Sequence, residues 1–148
     1  MMVRELSGAP PAQGRPWWAR PLGLLALGFG LLTLGAGGSV LFGGDAARTA
    51  AGAYVPFVVW VNFLAGFAYV AAGFGLWRWR RWTAPLAAGI AAITLATFAA
   101  FGLHVALGGA HETRTVVAMA VRSVFWLAVA GLAWRRGLGY RSARPTAS

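Results

Sequence analysis

No cysteine occurs in the 148-residue chain, which excludes disulfides, thiolate metal sites and thiol nucleophiles. Acids are nearly as scarce. Glu5, Asp45 and Glu112 are the three carboxylates, against 13 basic residues that are all arginine. With so few acids, a paired-carboxylate site has no material and general acid–base chemistry has few candidates. Charged residues make up only 11% of the chain, where a soluble domain carries roughly 25%. The sequence contains no glycine-rich phosphate loop and no nucleophile elbow, and its two halves do not align as a repeat.

What fills the chain is apolar: 59% hydrophobic residues, 21 glycines, 8 tryptophans and a mean hydropathy of +0.65. A water-soluble core of this length cannot hide that much apolar surface, so lipid is the expected solvent. The net charge of +10 does not point to nucleic acid. The arginines stand at the ends of apolar runs, which is a membrane-topology pattern, whereas a nucleic-acid binder gathers them on one soluble face. Anionic lipid headgroups are the partners these basic ends favour. The arginine, alanine and glycine bias fits a GC-rich bacterial genome.

The expected fold is an all-α integral membrane protein, a four-helix transmembrane bundle with both termini in the cytoplasm. Residues 1–16, with Pro10, Pro11, Gly14 and Pro16, form a polar tail. Trp17 and Trp18 beside Arg20 are placed as an interfacial anchor, and residues 17–136 form the membrane domain. The spans are predicted over about residues 21–42, 54–77, 85–107 and 114–134. Pro56 suits a first helical turn and Thr113 an N-cap. Gly28, Gly30, Gly35, Gly37 and Gly38 make the first span thin enough for close packing. A short loop with Asp45 and Arg48 follows it, and residues 137–148 form a second polar tail. The first span could alternatively be a signal peptide cleaved within residues 46–53, but it is long for that purpose and an uncleaved helix is expected.

Orientation follows from the arginines. Arg4, Arg15, Arg20, Arg78, Arg80, Arg81, Arg135, Arg136, Arg141 and Arg144 fall on one side of a four-span chain, and only Arg48 and Arg114 on the other. That bias places both ends in the cytoplasm of a bacterial inner membrane, with the loops around Asp45 and Glu112 outside.

Polar side chains within the spans cost free energy and are therefore informative. At 1.5 Å per residue, Asn62, His104 and Arg122 are expected roughly 9–12 Å below the outer surface, with Ser39 and Thr33 adding to the layer. Arg122 is the one charge well inside a predicted span. Trp126, one turn deeper, offers it a cation–π face. Two readings compete. In one, Asn62, His104, Arg122 and Trp126 receive an anion, a quinone carbonyl or a partner's carboxylate. In the other, Arg122 is clamped structurally by Glu112 and backbone carbonyls. The outer turn Gly109-Ala110-His111-Glu112-Thr113-Arg114 is either a solvated cap, or a docking surface or lid in which His111, Glu112 and Arg114 act. His104 and His111 are two turns apart, too far to share one metal ion unless Gly108 and Gly109 break the helix. A metal site of His104, His111 and Glu112 is then conceivable, although a packing histidine is the stronger expectation. Tyr69 lies deeper and is expected to bond a neighbour.

Residues 65–76, rich in small side chains and followed by the basic turn Trp77-Arg78-Trp79-Arg80-Arg81-Trp82, resemble the DoxX-type small four-helix bacterial membrane proteins. The resemblance implies an association with quinone-linked sulfur oxidation or a redox partner, and assigns no role to any residue. Three functions remain open. The leading one is an accessory or structural subunit of a membrane complex, joined to other membrane subunits or to its own copies and without catalytic activity of its own. The second is a redox or lipid-binding protein that takes a quinone, a haem or a lipid. The third is a small oligomeric transporter with Arg122 in an anion path.

Overall fold

The computed structural model describes residues 14–136 and Leu138. The tails 1–13 and 139–148 and Gly137 lie outside the described residues. The four apolar runs form the four long helices: α1 (Ala19–Phe42), α3 (Pro56–Trp77), α4 (Thr83–Ala106) and α5 (Thr113–Arg135). Each has 22 to 24 residues, long and apolar enough to cross a membrane of about 30 Å hydrocarbon thickness. The segment expected as a loop is instead a short helix, α2 (Gly44–Ala51). Gly44 (φ +79°) and Gly52 (φ +69°) turn the chain into and out of it.

The molecule is apolar outside as well as inside. Leu24, Leu31, Leu32, Leu64, Phe67, Ile93, Leu103 and Val124 are all more than half exposed. A soluble monomer does not carry so continuous an apolar surface, whereas a multi-pass membrane protein does.

α1 and α3 interlock most closely. The buried face of α1 is Ala19, Gly23, Ala26, Gly30, Thr33 and Gly37, with spacings of four and three residues that keep one seam facing the partner. A Cβ on Gly30 would lie 2.9 Å from the Val70 nitrogen, and one on Gly73 2.6 Å from the Leu27 nitrogen. These backbones touch, so glycine is required there. Gly28 and Gly35, read from sequence as packing residues, have open space around them and face outward. The working stripe is Gly23, Gly30 and Gly37.

α4 packs on α3 and α5 on α4. The central core joins Ala26, Tyr69, Leu76, Ile90, Trp126 and Val129. Two smaller clusters cover the ends, one around Phe101 and Met119 and one around Ala84 and Ala133. α3 and α4 both close in a glycine-type cap. After α3 the amide of Trp79 bonds to the carbonyl of Leu76 and that of Arg80 to Gly75 (3.0 and 2.8 Å). Trp79 holds the left-handed position (φ +54°), with its ring edge-on to Trp18 at 5.5 Å. After α4, Gly108 (φ +82°) takes that position, and the amides of Gly108 and Gly109 bond to Val105 and His104.

Candidate functional site

Arg122 stands nine residues into α5, roughly 13 Å from its N-terminal end. Its side chain is 8% exposed. Met119 precedes it by one helical turn on the same face, and Thr33 faces it from α1. The guanidinium donates to the Met119 sulfur and to Thr33 Oγ1, each at 3.5 Å, and its Nε has no partner among the described residues. A thioether is a weak acceptor, and 3.5 Å to the Thr33 oxygen is long for a hydrogen bond, so this cation is under-satisfied.

Rings do part of the work of a counter-ion. The guanidinium carbon lies 5.5 Å from the Phe29 ring and 6.0 Å from that of Tyr69. The cation–π contacts thus come from α1 and α3, not from Trp126. Trp126 is fully buried beneath, packed on Tyr69 at 4.8 Å with its Nε1 unpaired. Tyr69 itself bonds to Thr94 at 3.5 Å.

Among the described residues no carboxylate reaches Arg122. Glu112, the expected clamp, accepts the Ala53 amide at 2.9 Å. Asp45 pairs with Arg48 at 3.6 Å on the surface of α2. The structural clamp of Arg122 and Glu112 therefore does not form, because Glu112 is held at the mouth by the α2–α3 turn.

Above Arg122 the helices part around a cavity of about 500 Å³. α1 contributes Thr33, Ala36, Gly37 and Ser39. α3 and the turn before it contribute Tyr54, Val58 and Asn62, and α5 contributes Arg114, Ala118, Met119 and Arg122. α2 covers the outer end with Ala47, Ala50 and Ala51, one face at helical spacing. Asn62 donates to the Met119 sulfur at 3.5 Å, so this one sulfur takes bonds from both Asn62 and Arg122. Ser39 bonds to the Ala36 carbonyl of its own helix at 2.8 Å. Arg114 lines the mouth and donates to the carbonyls of Ala50 and Ala51 at the C-terminal end of α2.

Asn62, Thr33 and Arg122 thus share one cavity, and His104 does not belong to it. His104 stands two residues before the end of α4, roughly 3 Å from it, because Gly108 closes that helix at once. Its Nε2 lies 3.2 Å from the Ala110 carbonyl, and His111 Nδ1 lies 3.2 Å from that of Gly109. His111 also meets Phe101 edge-on at 6.2 Å. Among the described residues no three His, Asp or Glu side chains converge as a metal set, so His104, His111 and Glu112 stay apart. Phe29, Met119 and the alanine face of α2 are site residues that the sequence reading missed. Phe29 could have been found one helical turn before Thr33.

The chain matches no protein-family model, and no curated protein and no solved structure matches it significantly. The DoxX-type resemblance gains no support from these comparisons.

Proposed function

We propose that this protein is a membrane-embedded binding protein whose ligand places an anionic or strongly accepting group on Arg122. The observation that carries this reading is a buried guanidinium without a carboxylate partner among the described residues, facing a cavity large enough for a small organic molecule. An unpaired arginine at depth is costly in a bilayer, and such residues mark ligand or ion paths. Phe29, Tyr69, Phe125 and Trp126 fill the space beneath Arg122, which favours a closed-ended binding site over a transport path. A quinone carbonyl or a lipid headgroup fits this chemistry. A haem has no histidine at the cavity.

The site lies toward the end of the bundle that carries α2. Of the described arginines, Arg15, Arg20, Arg78, Arg80, Arg81, Arg135 and Arg136 lie at the opposite end. We therefore assign both termini to the cytoplasm of a bacterial inner membrane, with the cavity in the outer leaflet. The interlock of α1 with α3 supports an uncleaved first helix.

A second reading, an accessory subunit, draws on Gly28 and Gly35. These exposed glycines, seven residues apart on α1, leave room for a helix of another chain or copy. Extraction of the wild type and of Arg122→Gln from their own membrane, followed by mass measurement of bound molecules, separates the two. The binding reading expects a ligand that the variant loses. Stoichiometric companion chains with no ligand on either protein favour the subunit.

A further inference from the structure

The walls of the cavity bear on the source of its ligand. α1 and α5 would close the ring of an ordinary four-helix bundle, yet no Cα of α1 lies within 8 Å of a Cα of α5. The gap is bridged by side chains: Arg122 reaches Thr33 at 3.5 Å, and the Phe125 ring lies 5.4 Å from Phe29. Above this bridge the seam carries Ala36 on α1 and Ala118 on α5. Both line the cavity and both are exposed. They stand roughly 9 and 8 Å inside the outer helix ends, at a depth where the surrounding medium is hydrocarbon. No backbone contact between α1 and α5 closes this part of the cavity wall.

Toward the aqueous end α2 forms part of the cavity wall, and none of its residues is buried. Its alanine face lines the cavity, and Arg114 fastens it through the carbonyls of Ala50 and Ala51. Glu112 holds the Ala53 amide just beyond. Among the described residues the charge inside is of one sign: Arg114 and Arg122 line the cavity, and no carboxylate does. A hydrated inorganic ion would have to shed its water among largely apolar walls for one deep guanidinium, which is a poor exchange. A molecule already dissolved in the bilayer loses far less on entry.

Resting on the binding reading above, we infer that the ligand is a membrane-borne amphiphile with an anionic head and an apolar chain. It enters sideways through the α1–α5 seam. Its head sits on Arg122, with Asn62 and Thr33 beside it, and its chain leaves between Ala36 and Ala118 toward the acyl region.

The test uses the whole protein in phosphatidylcholine nanodiscs and a long-chain carboxylic acid that carries a diazirine in its chain. After illumination, adducts are mapped by peptide mass spectrometry. Labelling is expected on α1 and α5 along the seam, competed by oleate and unaffected by acetate or inorganic phosphate. Arg122→Gln should lower it at least about tenfold, the scale of one lost charge-assisted hydrogen bond. Ala118→Phe, at an exposed position where folding is not at stake, should lower it similarly by filling the seam. Competition by acetate or phosphate as strong as that by oleate, with Arg122 still required, overturns the membrane-borne ligand and leaves the binding site standing. Seam labelling equal in wild type and Arg122→Gln overturns both.

Discussion

Arg122 is a poor choice for stability and a good one for binding. A guanidinium retains its proton in a protein, so burial cannot neutralise it. Held at bilayer depth it costs about 2.5–3.5 kcal/mol on insertion scales. Two long contacts and two ring faces recover only part of that. Replacement by an unbranched apolar side chain should therefore stabilise the ligand-free protein. Arg122→Met is expected to raise unfolding stability in detergent by about 1–3 kcal/mol while abolishing ligand retention. Thermal unfolding after exhaustive delipidation checks this, and a destabilised Arg122→Met protein would make Arg122 a structural clamp after all. Asn62→Leu should cost about 1 kcal/mol or under, because its one bond among the described residues is to a sulfur.

The glycine stripe carries the tightest packing among the helices. Gly30→Val and Gly73→Val must push α1 and α3 apart, since each new Cβ meets backbone nitrogen within 3 Å. A loss of about 1–3 kcal/mol or more is expected for each, against about 0.5 kcal/mol or less for Gly35→Val, which points into open space. Equal losses at positions 30 and 35 in denaturation experiments would contradict the α1–α3 interlock. These positions also show where sequence reading stops. The four long helices were legible because span length and arginine-capped ends are set by the bilayer itself. Which face of each helix packs was not legible. In lipid a helix is apolar all round, so hydrophobic periodicity carries no direction, and Gly28 and Gly35 have the same spacing as Gly23, Gly30 and Gly37. α2 was hidden for another reason: eight residues, half of them alanine and with Gly44, Asp45, Arg48 and Thr49 among them, are too short a run to stand out from a loop. Arg122, Asn62 and Thr33 were legible as a layer because polarity inside a span is rare. His104 was misplaced in depth: it stands only three residues, about 4.5 Å, before the expected span end at Leu107, not at the depth of Asn62 and Arg122.

Over the whole molecule, the proposed orientation rests on charge and the proposed access on the α1–α5 seam. The absence of cysteine makes topology simple to read. Thr49→Cys, on α2, should react with a membrane-impermeant maleimide in intact cells, and Arg81→Cys only after permeabilisation. The reverse pattern would put the cavity in the cytoplasmic leaflet. The central claim is that Arg122 holds a ligand, and native mass spectrometry of protein extracted gently from its own membrane tests it most directly. The account predicts a bound small-molecule mass on the wild type that is lost from Arg122→Gln at unchanged assembly state. No bound mass on the wild type, or equal occupancy in both proteins, would contradict it.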